Sequence, residues 1–287
     1  MNTKIVRYIL CRMLGVEAAL LLVPVLVAVI YQEKCGVVFL IPIVILCLLF
    51  WVAGRKRPEH GQIYGKEGMV IVALAWILWS LFGAMPFTLS GYIPSYVDAF
   101  FETVSGFTTT GSSIIPDVEV LPHCLLFWRS FTHWIGGMGV LVFVLVVTSL
   151  DRKNSMHLMR AEVPGPEKDK LVPKAMSTAR ILYGMYLTLT VIEMVFLVIG
   201  GMNLFDSMIF SFGSAGTGGF SNYADSVAHF NSAYIDGVIT VFCALFGVNF
   251  ALFYFMILGD FKSILKNEEL RTYILLIAGA TAAIMLN

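Results

Sequence analysis

Long apolar runs, separated by short segments that hold most of the charged residues, constrain this chain more than any other feature of its sequence. A helix rises about 1.5 Å per residue, so about 20 apolar residues are needed to cross the hydrocarbon layer of a bilayer. The runs of about that length lie at residues 8–31, 36–53, 68–90, 124–149, 179–200 and 233–258. The sequence therefore predicts an all-α integral membrane protein, in contact with membrane lipid.

The overall composition argues against several other classes of protein. Only 13% of the residues are charged, against about 25% in an ordinary soluble domain. The net charge is zero, which argues against a nucleic-acid binder. The five cysteines and five histidines are scattered, with no Cys-x-x-Cys, so we predict no metal site, no bound cofactor and no enzyme active site; a Cys35–Cys124 bridge stays open.

The distribution of basic residues predicts the orientation of the chain. If the N-terminus lies in the cytoplasm, the cytoplasmic segments hold 17 of the 19 Lys and Arg residues, and only Lys34 and Arg129 fall elsewhere. The sequence therefore predicts a multi-pass plasma-membrane protein with a cytoplasmic N-terminus. Seven acidic residues are then expected at the outer surface, where their field would concentrate cations: Asp98, Glu102, Asp117, Glu119, Asp206, Asp225 and Asp236.

Two shorter helical segments, 95–106 and 203–213, are too short to span the membrane. Each lies between two long runs and is followed by small residues, FTTTGSS after the first and SAGTGGFS after the second. A shift of 107 residues places Thr110-Gly111 on Thr217-Gly218. The pattern predicts two copies of a unit made of a membrane helix, a pore helix, a filter loop and a second membrane helix, preceded by two extra membrane helices.

The chemistry of such a loop favours a cation. Non-helical backbone is tolerated at membrane depth where it lines a water-filled path, and its carbonyl oxygens then replace the hydration shell of an ion. The short helix before the loop also points its partially negative C-terminal end toward the membrane centre. A Walker loop is excluded, because no Lys-Ser or Lys-Thr follows GSAGTGG.

Four segments resemble the Trk/Ktr/HKT superfamily of potassium uptake translocators, and the two extra helices make the Trk type the better match. They are DAFFETVSGFTTTGSS (98–113), FWRSFTHWIGGMG (127–139), FSFGSAGTGGFS (210–221) and GVNFALFYF (247–255). The resemblance implies K⁺ as the transported ion, a bacterial inner membrane, a homodimer, and a cytoplasmic nucleotide-binding regulatory subunit of the TrkA type docked on a basic face that includes 150–180. It also implies a filter made of Thr108, Thr109, Thr110, Gly111, Ala215, Gly216, Thr217 and Gly218.

The superfamily builds one pore from four hairpins, and this sequence contains two. The last apolar run, 272–286, is expected to be too short to cross, which favours a truncated piece of a longer protein over two chains that supply four hairpins. We divide the chain into an N-terminal two-helix unit (1–66), a first pore repeat (67–150), a cytoplasmic linker (151–177), a second pore repeat (178–259) and the start of a third (260–287).

Ionisable residues within the predicted spans need partners, because charges are costly in hydrocarbon. Arg129 and Glu193 lie at similar depths, which predicts an ion pair between the two repeats; the alternative is that Arg129 extends to the headgroups. Glu17 has no assignable partner. Gly136, Gly137 and Gly139 are interpreted as helix-packing positions, and Asn249 as either a cavity residue or a helix–helix hydrogen bond.

Three functions remain in competition. The first is a potassium-conducting pore subunit. The second is a secondary transporter coupled to H⁺ or Na⁺, which needs buried carboxylates, for which Glu17 and Glu193 are the candidates. The third is a non-conducting membrane fragment or assembly protein.

Overall fold

The computed structural model describes residues 2–55, 65–139, 175–257 and 259–286, and this part of the chain contains helices and no β-strand. The helices are α1 (Thr3–Leu20), α2 (Leu22–Ile30), α3 (Leu40–Leu49), α4 (Gly65–Leu89), α5 (Tyr96–Phe107), α6 (His123–Gly137), α7 (Ala175–Ile199), α8 (Leu204–Ala215), α9 (Ala233–Phe246), α10 (Phe250–Ile257), α11 (Phe261–Lys266) and α12 (Glu268–Leu286). Within these described ranges, five helical stretches are long and apolar enough to cross a membrane. The predicted fold class is confirmed.

The N-terminal unit consists of two spans that pack beside the first repeat. Helices α1 and α2 form one span, and a 3₁₀ turn, α3 and a π-helical turn at Phe50–Gly54 form the next. Helix α1 packs against α3 and α4. Between α2 and the 3₁₀ turn, the Glu33 carboxylate accepts hydrogen bonds from the backbone N–H groups of His123 (2.7 Å) and Cys124 (3.0 Å). These two donors are unsatisfied N-terminal groups of α6, so Glu33 caps that helix from a distant part of the chain.

Helix α6 is the centre of the described structure. It packs against α2 and against both short helices, α5 and α8. Its residues from Cys124 to His133 are all buried. Because this part of α6 is buried on all sides, other helices surround it. Helix α6 therefore packs between the short helices of the two repeats.

Two helical segments differ from those predicted. The run 233–258 is not one straight helix: α9 and α10 meet at Gly247–Asn249 with a bend of 93°. Asn249 lies in this break, where its side chain accepts from Ala251 N (3.0 Å) and donates to Glu269 (3.1 Å). The last run is longer than predicted, because α12 begins at Glu268 and its 19 residues are enough to cross. Residues 140–149 of the predicted fourth span lie outside the described residues.

The two repeats are related by a shift of 108 residues in their short helices, so the predicted shift of 107 is wrong. Helices α5 and α8 have 12 residues each, with caps at Ser95 and Asn203. The preceding long helices, α4 and α7, each have 25 residues and are related by 110. The loop between α7 and α8 is two residues shorter than the loop between α4 and α5, which accounts for the difference between the shifts of 110 and 108.

Candidate ion pathway

Both short helices start with the same local chemistry. The Ser95 hydroxyl accepts from Asp98 N (3.4 Å), and the Asn203 side chain accepts from Asp206 N (2.8 Å). Such caps satisfy backbone N–H groups that have no partner within the helix. The first turn of each helix also carries an acid, Asp98 or Asp206, which suits the positive end of the helix dipole.

The short helices also end in the same way, with a threonine in an unusual conformation. Thr109 and Thr217 both have φ of 54°, in the left-handed region. The next residue then bonds back into the helix: Thr110 N donates to Ser105 O (2.9 Å), and Gly218 N donates to Gly213 O (3.1 Å). This helix ending usually has glycine at the left-handed position, so a β-branched threonine there is strained. Strain of this kind, repeated at two matching positions, is typical of functional sites.

The two filter strands, 108–111 and 216–219, contact each other directly. A Cβ atom added to Gly111 would overlap the carbonyl oxygen of Gly218, and one added to Gly218 would lie 2.9 Å from Thr109 O. Gly111 (φ 77°) and Gly219 (φ 81°) occupy matching positions with positive φ, so Gly219 is the structural counterpart of Gly111. Carbonyl groups of both strands therefore lie close together at one place.

These carbonyl groups have no hydrogen-bond donor in the part of the chain that the structure describes. Within the described residues, no hydrogen bond ends on a backbone carbonyl oxygen of 108–111 or 216–219. Several residues of the strands are also exposed, namely Thr108, Thr110, Thr217 and Gly219. Unpaired carbonyl oxygens at the negative ends of two helices are suitable ligands for a dehydrated monovalent cation.

One face of α6 supports both strands. Its residues 129, 132, 133, 136 and 137 follow the spacing i, i+3, i+4, i+7, i+8 of a single helix face. Three glycines lie in close contact across this face, because a Cβ added to any of them would overlap a neighbouring atom. The Cβ at Gly106 would overlap the Thr132 hydroxyl, the Cβ at Gly218 would overlap the His133 ring, and the Cβ at Gly136 would overlap the Phe107 carbonyl oxygen. Gly137 lies against Ala215 and Gly216 in the same way. The interpretation of Gly136 and Gly137 as close-packing positions agrees with these contacts.

Arg129 is paired with Glu102, and the predicted pair with Glu193 is wrong. Arg129 Nε lies 2.6 Å from Glu102 Oε1, Nη1 donates to Ser221 O (2.9 Å), and the guanidinium lies 3.6 Å from the centre of the Phe220 ring. Both charged side chains are buried, with 3% and 0% exposed. Glu193 is also buried, and neither of its carboxylate oxygens has a hydrogen-bond partner in the described part of the chain.

Two of the seven acids expected at the outer surface are buried and hydrogen-bonded. Glu102 is 1% exposed, and Asp206 is 3% exposed. Asp206 accepts from Asn222 Nδ2 (2.7 Å) and from the Tyr223 hydroxyl (2.9 Å), just beyond the second filter strand. Burial, together with the neighbouring Asp206 carboxylate, raises the pKa of Tyr223 to about 12. These two acids therefore hold the filter loops and do not contribute an exposed negative surface.

Four residues of the site were not predicted from the sequence: His133, Phe220, Ser221 and Gly219. His133 lies against Gly218, its ring centre is 3.9 Å from that of Phe220, and both ring nitrogens are buried without a partner among the described residues. The spacing of Arg129, Thr132 and His133 along α6 was the available signal, because all three lie on one helix face.

Two short helices between longer apolar ones, filter-strand carbonyl groups without a hydrogen bond in the described residues, and at least five potential spans define a membrane protein with a repeated helix-and-loop unit. The chain belongs to the TrkH family of cation transport proteins, whose model matches residues 36–287. The family resemblance found in the sequence is confirmed, and the family consists of transport proteins rather than enzymes.

Individual relatives agree with this assignment. The chain is 35% identical over 261 residues to the Trk system potassium uptake protein TrkH of Escherichia coli K12, covering 88% of this chain and 53% of the relative. It is 35% identical over 286 residues to TrkG of the same organism, covering 97% and 59%. The crystal structure of the potassium transporter TrkH from Vibrio parahaemolyticus matches with a TM-score of 0.81 and 30% identity, covering 96% of this chain and 56% of that one. The chain thus spans somewhat more than half the length of these relatives.

Proposed function

We propose that this chain forms part of a transmembrane uptake pathway for K⁺. The ion passes between the two filter strands and is coordinated by backbone carbonyl oxygens of Thr108 to Gly111 and of Gly216 to Gly219, with Ala215 at the end of α8 behind them. The observation that carries the proposal is the contact between Gly111 and Gly218, among carbonyl groups that accept no hydrogen bond from the described ranges of the chain. The names of the potassium uptake relatives support K⁺ as the ion.

The two pore repeats, 67–150 and 178–259, are the working units of this proposal, and the unit at 1–66 supports the first. The remaining parts are the linker 151–177 and the segment 260–287. The N-terminus lies in the cytoplasm, and the protein is a homodimer in a bacterial inner membrane. A nucleotide-binding regulatory subunit of the TrkA type binds the basic cytoplasmic face that includes 150–180, which lies largely outside the described residues.

The experiment is growth of a potassium-uptake-deficient bacterium on low potassium, with radioactive rubidium uptake as the direct measurement. The proposal predicts rescue by this chain, expressed within its complete reading frame, and loss of rescue in Gly111→Val. The control is Gly184→Ala, because a Cβ added to Gly184 meets no atom within 4 Å. Equal rescue by Gly111→Val and Gly184→Ala, at equal amounts in the membrane, would contradict the proposal.

Glu193 favours one alternative, transport coupled to H⁺ or Na⁺. It is buried and has no hydrogen-bond partner in the described residues, and it lies beside Ser214 in the last turn of α8 and Cys243 of α9. Glu17, the other buried carboxylate without a described partner, belongs to the N-terminal unit. A coupled mechanism predicts that Glu193→Gln abolishes the dependence of rubidium uptake on a proton or sodium gradient. Uptake that follows the membrane potential alone in both proteins supports the uncoupled pathway.

A further inference from the structure

The buried pair of Arg129 and Glu102 contacts both filter loops. On one side, Glu102 accepts from the Ser113 hydroxyl (3.0 Å) and from Ile114 N (2.9 Å), just after the first filter strand. On the other side, Arg129 donates to Ser221 O (2.9 Å), just after the second. A continuous series of hydrogen bonds therefore runs from one loop, through the ion pair, to the other.

The geometry of this series is more rigid than a simple charge attraction. The guanidinium is planar and has donors in fixed directions, so it can bond a carboxylate and a carbonyl group and still stack on Phe220. Both charges are almost fully buried, so water does not compete for these bonds. A lysine at this position keeps the charge and loses the second directed bond and the stacking.

We propose that the Glu102–Arg129 pair is a positioning device that sets the preference of the filters for K⁺ over Na⁺. The inference rests on the proposed function. Carbonyl ligands that replace a hydration shell favour the ion whose size and ligand number they match, and the separation of the two strands is part of that match. Because Glu102 bonds to the first filter loop and Arg129 to the second, the pair fixes the distance between the two strands.

The charges and the geometry of the pair have separate consequences. Glu102→Gln leaves the positive charge of the Arg129 guanidinium unneutralised beside the filters. Because this charge repels a bound cation strongly at low dielectric, the affinities for K⁺ and Na⁺ both fall by roughly tenfold. Arg129→Lys and Glu102→Asp keep both charges and change the geometry of the pair: the lysine loses the second directed bond and the stacking on Phe220, and the aspartate has a shorter side chain. These two variants keep the K⁺ affinity within roughly threefold and reduce the K⁺/Na⁺ affinity ratio by roughly fivefold or more.

The test measures the rise in melting temperature of the purified full chain in detergent as K⁺ or Na⁺ is added, since a ligand that binds the folded state stabilises it. Trp128→Phe is the matched control. Trp128 lies on the same helix as Arg129, and the substitution removes a buried hydrogen bond to Gly83 O, which belongs to neither filter strand. The inference predicts a reduced K⁺/Na⁺ ratio in Arg129→Lys and Glu102→Asp, and the wild-type ratio in Trp128→Phe.

The outcomes are distinguishable from failure of the proposed function. If the wild-type chain shows no K⁺-dependent stabilisation, the ion pathway itself is contradicted. If the wild type prefers K⁺ and either charge-conserving variant folds with an unchanged ratio, the positioning role of the pair is overturned and the pathway stands. A purely structural role predicts lower melting temperatures in all four variants with the ratio unchanged.

Discussion

Gly111 and Gly218 approach each other so closely that a single added methyl group at Gly111 would overlap the Gly218 carbonyl oxygen. Gly111 lies in the first repeat and Gly218 in the second, so this contact is where the two repeats meet at the candidate ion pathway. This contact requires glycine at 111, whereas glycine is required at 218 because a Cβ there would overlap the His133 ring and lie 2.9 Å from Thr109 O. It also provides matched pairs of substitutions that separate steric overlap from backbone strain.

The first prediction compares Gly111→Ala with Gly219→Ala. Both positions have positive φ, but a Cβ at Gly219 meets no atom within 4 Å. Gly219→Ala therefore incurs only backbone strain of about 1–2 kcal/mol, whereas Gly111→Ala adds overpacking of about 1–3 kcal/mol. We expect Gly111→Ala to abolish potassium-dependent growth and Gly219→Ala to reduce it. The reverse order would contradict the contact between the strands.

The second prediction concerns Gly218 and His133. A Cβ at Gly218 would overlap the His133 imidazole, and it would also lie 2.9 Å from Thr109 O. Gly218→Ala should abolish rubidium uptake, and the double variant Gly218→Ala/His133→Ala should recover part of it, because one of the two overlaps is removed. A double-mutant cycle measures this coupling. Strictly additive losses would show that the histidine does not support the filter.

The third prediction uses the left-handed threonine at Thr217. Glycine adopts this conformation without the steric cost of a β-branched side chain, so Thr217→Gly should raise the free energy of unfolding by about 1 kcal/mol. Thr110→Gly is the control, because Thr110 is not among the residues with positive φ and its hydroxyl bonds to that of Thr108 (2.8 Å). Thermal unfolding in detergent provides the comparison. A lower stability for Thr217→Gly than for the wild type would refute the strain.

The fourth prediction is the pH dependence contributed by Glu33. Burial raises the pKa of this carboxyl group, but hydrogen bonds from the backbone of Cys124 and from His123 outweigh burial, and the net pKa lies below the ordinary value of 4.5. A lowered folded-state pKa stabilises the protein above the unfolded-state pKa, and this stabilisation is lost as the pH falls below 4.5 toward the folded-state pKa.

Melting temperatures of the wild type and of Glu33→Gln measure this effect. The difference between them should be largest near neutral pH and should shrink as the pH falls below 4.5. Asp236→Asn, which changes an exposed acid in the first turn of α9, is the control. A difference between wild type and Glu33→Gln that stays constant over this pH range would exclude Glu33 as the cause.

The sequence was sufficient to predict the helices and the repeat. Apolar runs bounded by charged residues predict membrane helices because the bilayer imposes a length and excludes charge. The short helices, predicted at 95–106 and 203–213, lie at Tyr96–Phe107 and Leu204–Ala215. Two features escaped prediction for different reasons. The bend between α9 and α10 lies within a continuous apolar run, whereas the first turn of α12 is charged (Glu268, Glu269 and Arg271), so the apolar pattern begins only at Thr272.

The partner of Arg129 and the register of the repeat were not predictable in the same way. A similar position along the span does not determine which side of a helix a residue occupies, and Glu102, rather than Glu193, lies against Arg129. The register was ambiguous because Gly218 and Gly219 are adjacent, and matching glycine to glycine allowed either choice. Only the helix caps and the backbone conformations distinguish them.

The central claim is that carbonyl oxygens of both filter strands bind one dehydrated cation. The most direct test is anomalous diffraction from crystals of the protein grown with Rb⁺ or Tl⁺ in place of K⁺. The account predicts an anomalous peak between 108–111 and 216–219, at about 3 Å from carbonyl oxygens of both strands, as expected for ions that replace K⁺ in carbonyl-lined filters. Well-diffracting crystals with ordered filter strands and no peak between them would contradict it.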